Sequence, residues 1–263
     1  MQTTEANVDH RGDTNIAAVA SLMADEARAS ILLALSDGRA LSAGELARMA
    51  RVAPSTASSH LAKLVEGGLL EVESWGKHRY FRVAGPEIVG AIEALALLAP
   101  AKPIRSWRQS RAAGRVRFAR TCYDHLAGEL GVRFTRALVD QGMLVEVEDG
   151  YGVTEEGISR LREFGVDLSG RKGRIQFAPR HVDWSERYYH FAGPLAKATT
   201  THLFELGWFE RVPASRAVRL TEAGRLGLRE RFGLRLEGED EARVRGGRSV
   251  ARGVSQALVR AEL

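Results

Sequence analysis

Cysteine is nearly absent from these 263 residues: Cys122 stands alone. One thiol cannot build an intramolecular disulfide framework, and such sparing use fits a reducing cytoplasm. No apolar run reaches the length a membrane-spanning helix needs. Residues 1 to 20 lack the basic-then-apolar order of a secretion signal, so a soluble, cytoplasmic protein with no membrane partner is expected. Catalytic signatures are missing too. There is no Gly-rich phosphate loop, Ser-His-Asp candidate set or His-Glu-x-x-His motif, and an enzyme is not expected. Nor is there a large excess of one charge. Lys+Arg exceed Asp+Glu by 38 to 33, a net +5, so clustering of the cations matters more than their sum.

What the chain does contain is organised around Ser42 to Val83. Ser42 and Glu45 form an S-x-x-E capping box that starts a helix carrying Leu46, Met49 and Ala50, and the pattern breaks near Arg51. Pro54 suits the first turn of a second helix, with Leu61, Leu64 and Val65 as its buried stripe. The opposite face carries Ser55, Thr56, Ser59, His60 and Lys63, short polar groups that fit a major groove. Gly67-Gly68 ends this helix. Leu69 to Glu73 and Tyr80 to Val83 then read as paired strands around a basic turn, Trp75 to Arg79. The sum is a winged helix-turn-helix. Ser55, Thr56, Ser59 and His60 are expected to face bases, and Lys63, Lys77, His78 and Arg79 to neutralise phosphates.

Five stretches carry a resemblance to the ArsR/SmtB family of bacterial transcriptional repressors: Asp25 to Leu32, Glu45-Leu46-Ala47, Pro54 to Leu61, Leu64 to Leu70, and Gly76 to Arg82. The resemblance covers residues 14 to 98. It implies a homodimer that places two recognition helices in successive major grooves of a double-stranded DNA operator. It also implies a dimer interface built from the first and last helices of the domain. The segments Asn15 to Ala24 and Pro86 to Leu98, both rich in apolar residues, suit that role. Metal-sensing members carry Cys pairs before the recognition helix, or Asp/His/Glu sets on the last helix. Ser42 to Arg51 has no Cys or His, and Pro86 to Leu98 has Glu87 and Glu93 but no His, so neither familiar site is present.

The expected fold class is mainly α with small β-hairpins (α+β), divided as follows. Residues 1–13 are a flexible arm, 14–99 the winged helix-turn-helix, and 100–125 a basic linker helix with Arg105, Arg108, Arg111, Arg115, Arg117 and Arg120 along it. Two winged-helix-like repeats follow, at 126–168 and within 169–236, and 237–263 is a charged, mobile tail. The repeat rests on four correspondences: Leu126-Ala127-Gly128 with Phe191-Ala192-Gly193, Gly142-Met143-Leu144 with Gly207-Trp208-Phe209, Thr154-Glu155-Glu156-Gly157 with Thr221-Glu222-Ala223-Gly224, and Phe164-Gly165-Val166 with Phe232-Gly233-Leu234. Each unit reads helix, hairpin, Thr-capped helix, with Asp149-Gly150 turning the first hairpin. The repeats lack a basic recognition helix and are assigned to sensing or dimer support.

An effector is expected at the start of each unit, where Cys122, Asp124 and His125 precede the first and His181, Asp183 and His190 surround the second. Cys122 and His125, three apart on an expected helix, are near enough to share a zinc-type or soft metal. The same residues serve equally as core and ion-pair groups. Tyr188, Tyr189, Trp184 and Trp208 are candidates for lining an organic-ligand pocket, and a redox role for Cys122 needs a pKa lowered by Arg120. No cofactor is assured; a metal ion or a small-molecule effector is the candidate. The leading function is a dimeric, sequence-specific DNA-binding repressor. A winged-helix protein-interaction module without base readout is the competing one, favoured if the wing packs on the repeats.

Overall fold

The computed structural model describes residues 14–76, 78–100, 103, 105–169 and 176–236. The expected arm (1–13), the expected tail (237–263) and Lys77 lie outside the described residues. The N-terminal part is built by local caps. Asn15 accepts from the Ala18 amide to start α1 (Ile16–Met23), and Asp25 accepts from the Arg28 amide to start α2 (Glu26–Leu35). Ser42 and Glu45 close the expected capping box on α3 (Ala43–Ala50), which stops where Arg51 turns left-handed at φ 58°. Pro54 is the first residue of α4 (Pro54–Glu66), and Gly67 ends it. The short strand β1 (Leu41–Ser42) joins β2 (Leu70–Trp75) and β3 (His78–Val83) in an antiparallel sheet of order β1-β3-β2. α5 (Pro86–Leu98) closes the domain. Leu35, Leu46, Leu61, Leu64, Phe81 and Val89 form its core, so α3, α4 and the wing are fixed in one orientation. This is a winged helix-turn-helix.

The expected linker helix over 100–125 is corrected. α6 runs only from Trp107 to Phe118, capped by Ser106, and Ala119 then goes extended (φ −148°, ψ 131°). Arg105, Arg108, Arg111, Arg115 and Arg117 are exposed, but Arg120, expected in the same row, is fully buried. It opens β4 (Arg120–Cys122), which pairs with β5 (His125–Ala127). α7 (Glu129–Asp140), the hairpin β6 (Leu144–Val147) and β7 (Gly150–Val153), and the Thr154-capped α8 (Glu155–Glu163) follow. The same order occurs again as β8 (Phe177–Val182), β9 (Tyr189–Phe191), α9 (Gly193–Glu205), β10 (Phe209–Arg211), β11 (Val218–Leu220) and the Thr221-capped α10 (Glu222–Phe232). Each unit therefore opens with a hairpin that the expected helix–hairpin–helix pattern omitted. The expected turn at Asp149-Gly150 is displaced: Glu148-Asp149 turn, and Gly150 is the first residue of β7. A Cβ there would lie 2.4 Å from the Ala178 carbonyl, because β8 pairs against β7 and a four-stranded sheet β6-β7-β8-β9 spans both units.

The two units also exchange hydrogen bonds reciprocally. The Leu126 amide after the first hairpin's turn donates to Thr200 Oγ1 of α9 (3.1 Å), and the Phe191 amide of the second donates to Thr135 Oγ1 of α7 (3.1 Å). Their shared core holds Phe134, Phe191, Phe209 and Phe232, with Phe134 and Phe232 meeting edge-on at 5.0 Å. At its margin Arg120 is enclosed. It donates to Asp183 Oδ2 (2.9 Å) and Ser185 Oγ (3.1 Å), lies 3.5 Å from Glu93 of α5, and stacks over Trp184. Asp183 accepts in addition from the Gly128, Ser185 and Glu186 amides. Glu93 is also paired with Arg216 at 2.7 Å.

Arg120→Met leaves two buried carboxylates short of a partner and is expected to cost about 3–5 kcal/mol of unfolding free energy, measured by urea titration. Ser42→Ala removes the box and should cost about 1 kcal/mol. The Ser42 hydroxyl and amide hold the Glu45 carboxyl below its ordinary value. The Glu45 contribution is therefore complete above about pH 4.3, the unfolded-chain value, and fades as pH falls through the lower folded one. The gap between wild type and Ser42→Ala should shrink in that acid range.

Candidate nucleic-acid interface and effector site

On α4, Ala57, Leu61 and Leu64 are buried inward, which turns Ser55, Thr56, Ser59 and Lys63 outward, all exposed. Helix geometry puts Ser55, Thr56 and Ser59 on one N-terminal patch, the end that enters a groove in this fold. His60 differs from its expected place. Its side chain is only 15% exposed and its Nδ1 lies 3.8 Å from Asp25 at the start of α2, so it braces α4 against α2 as much as it faces outward. In the wing, Trp75 pairs with His78, and Gly76 between them is left-handed at φ 59°. His78, Arg79 and Trp75 are exposed, and Arg79 sits over the Phe81 ring at 5.5 Å. Arg82, one strand position further, is paired with Glu71 and Glu73. Lys63 of α4 and Arg79 of the wing remain exposed cations.

The second site lies where the two leading hairpins meet. Cys122 and His125 do not share a helix, as expected from their spacing, but face each other across the β4–β5 pair; the turn is Tyr123-Asp124, with Tyr123 left-handed at φ 57°. His181 and His190 face each other in the same way across β8 and β9. The ligand atoms of these four residues all lie within 4.8 Å of one another. Cys122, His125 and His190 are buried, and His181 is half-buried. The Nε2 atoms of His125 and His190 are 3.2 Å apart. Asp124, half-buried, stands 3.5 Å from His125 Nδ1 and pairs with Lys197. Asp183 lies 4.0 Å from His190 Nδ1 but is committed to Arg120.

Burial sets the protonation of this cluster. It drives His181 down to about 4 and His190 well below the usual imidazole value, helped by the neighbouring rings, so both are neutral. Burial likewise pushes the Cys122 thiol up to about 12. That overturns the expected redox role through a lowered pKa: Arg120, the cation meant to supply it, is spent on Asp183 and Glu93. A cleft of about 330 Å³ lies among Asp124, Thr200, Phe204, Phe209 and Arg211, and none of Trp184, Tyr188, Tyr189 or Trp208 lines it.

The hairpin bearing Cys122 is seated on the winged helix-turn-helix. The Tyr123 amide donates to the Ser36 carbonyl at the end of α2 (2.6 Å). Gly38 (φ 74°) lies beneath it, where a Cβ would come within 3.0 Å of the Tyr123 carbonyl. Arg39, just beyond, donates to the Ser215 carbonyl of the second unit (2.8 Å). Sequence reasoning missed this contact, since it joins residues far apart in the chain.

A winged helix-turn-helix with an outward hydroxyl-rich helix and a cationic wing defines a class, the DNA-binding transcription regulators. Residues 23–73 match a family model described as helix-turn-helix domain. Over 223 residues the chain is 42% identical to the uncharacterized HTH-type transcriptional regulator YdfF of Bacillus subtilis (strain 168), a match spanning 84% of this chain and 99% of that protein. The chain belongs to this family of HTH-type transcriptional regulators. A match of that length runs well beyond the winged domain. Among solved structures, reduced HlyU from Vibrio cholerae N16961 is 30% identical over 32% of this chain and 88% of its own, with TM-score 0.30. The homodimeric winged helix-turn-helix DNA-binding domain of Mb0332 from Mycobacterium bovis is 28% identical over 32% of this chain and 76% of its own, also with TM-score 0.30. Among the described residues, no helix is long and apolar enough to cross a membrane.

With Cys122 only 1% exposed, a thiol-modifying dye should leave the folded protein almost unlabelled at neutral pH and label one thiol per chain in denaturant. Rapid labelling without denaturant overturns the burial described above.

Proposed function

We propose that this protein is a homodimeric, sequence-specific repressor of transcription in the cytoplasm, with an effector sensed by its C-terminal units. The observation that carries the reading is the outward face of α4. Ser55, Thr56, Ser59 and Lys63 stand exposed beside an exposed wing tip of His78 and Arg79, while the residues behind them are locked in the core. Ser55, Thr56 and Ser59 offer donors and acceptors to base edges, with His60 at the margin; Lys63, Lys77, His78 and Arg79 neutralise phosphates. The wing tip is exposed, which favours DNA over a protein-interaction module whose wing is covered by its own C-terminal units.

Dimerisation is supported by uncovered apolar surface. α1 has no buried residue, and Ile16 is 72% exposed; at the far end of α5, Leu98 is 83% exposed. Leaving such side chains in water costs about 25 cal/mol per Å² relative to burying them, and a second copy meeting α1 with α1 and α5 with α5 removes that cost. We infer that the two C-terminal units are duplicated copies of one module, supported by their identical element order and reciprocal hydrogen bonds.

Selection of bound duplexes from a random DNA library tests the reading directly. One enriched, two-fold symmetric sequence is the expected result, and equal binding of unrelated DNA at physiological salt overturns it. Arg79→Ala should weaken binding to every sequence and flatten the salt slope by about 0.9. Ser59→Ala should instead change preference at one base pair, worth about 1–3 kcal/mol. Ile16→Glu with Leu98→Glu should turn the dimer into a monomer in analytical ultracentrifugation.

A further inference from the structure

We propose that Cys122, His125, His181 and His190 bind one divalent transition-metal ion of the zinc class, clamping the two leading hairpins together. Each hairpin supplies one cross-strand pair, Cys122 with His125 and His181 with His190. A tetrahedral ion with bonds of about 2.0–2.3 Å needs its ligand atoms roughly 3.3–3.8 Å apart. The four atoms already lie within 4.8 Å of one another, and the two facing Nε2 atoms are at 3.2 Å. Small side-chain rotations complete the shell.

The outer nitrogens say what belongs inside. Asp124 faces His125 Nδ1 at 3.5 Å, and Asp183 is the carboxylate nearest His190 Nδ1, at 4.0 Å. The carboxylate beside His125 Nδ1 favours a proton there and leaves the lone pair on its Nε2. The two Nε2 atoms converge at 3.2 Å in a buried space, and a cation between them takes a lone pair from each ring once both ring protons sit on Nδ1. The donor set of one thiolate and three imidazoles, with no carboxylate among the four, selects zinc, cobalt or nickel over magnesium, calcium or manganese. On binding, the Cys122 thiol gives up its proton to solvent as its sulfur bonds the ion, so one proton leaves per ion bound. Four protein ligands fill a tetrahedral shell, which fits a structural or sensory ion and leaves no open position for substrate.

The ion would sit one residue from the Tyr123–Ser36 contact on the helix-turn-helix, so its binding bears on the seating of α2 and α3. That regulatory consequence rests on the DNA-binding reading given above, whereas the site itself does not.

Full-length protein stripped with a chelator and titrated with Co²⁺ alone separates the two. One Co²⁺ per chain is expected, with the strong visible bands of tetrahedral cobalt and a near-ultraviolet thiolate-to-cobalt band, both erased by Zn²⁺. Cys122→Ser should remove the near-ultraviolet band. His181→Gln, at the half-exposed ligand where the fold is least at risk, should weaken binding about tenfold or more. The weak bands of six-coordinate cobalt, or spectra unchanged in His181→Gln, overturn the site. If Cys122→Ser melts early, His181→Gln decides alone. Affinity for the selected duplex, compared between stripped and Zn²⁺-loaded protein, should differ about fivefold or more. Equal affinities overturn the regulatory consequence and leave the site standing. Failure of both forms to select any DNA overturns the DNA reading, while the cobalt spectra still decide the site.

Discussion

The buried pairing of Arg120 with Asp183 is the constraint on which the rest of the molecule depends. A guanidinium taken out of water is tolerated only when its charge is matched. Here the match comes from three directions at once: Asp183 from the second unit, Glu93 from α5, and Ser185 from the loop between β8 and β9. Arg120 therefore ends α6, starts β4 and fixes the register of the hairpin that carries Cys122 and His125. Asp183 returns the constraint by holding the Gly128 amide, the residue from which α7 springs. One ion pair positions both leading hairpins, and the Cys122–His125 and His181–His190 pairs face each other because of it.

This arrangement also ties the C-terminal units to the DNA-binding half. Glu93 of α5 is shared between Arg120 and Arg216, and Tyr123 reaches the end of α2. Of these helices, α2 packs against α3 and α4, and α5 against β3 of the wing. The hairpins and α4 are thus joined through α2 by a short chain of packed side chains.

Much of the winged domain was legible because its signals are local. A Ser-x-x-Glu box, a Pro at a first helical turn and paired glycines act within a few residues, and α3 and α4 fall where those signals put them. The cysteine–histidine region was legible only in part. Cys122, His125, His181 and His190 were all suspected, yet their mutual geometry was misread, because the arginine row before them extends as a helix on local grounds. Arg120 instead leaves that helix and pairs with Asp183, 63 positions away, and no short-range pattern announces it. His60 shows the same limit: its spacing marks an outward face, while Asp25, a distant neighbour in sequence, draws it partly inward.

The reciprocal bonds between Thr135 and Phe191, and between Thr200 and Leu126, make each C-terminal unit complete only in its sibling's presence. β7, moreover, is an interior strand solely because β8 lies beside it. A chain shortened after the first unit would expose the unsatisfied edge of β7, a template for joining other chains. The pair is therefore an obligate couple, each unit supplying hydrogen bonds and a strand neighbour that the other lacks alone.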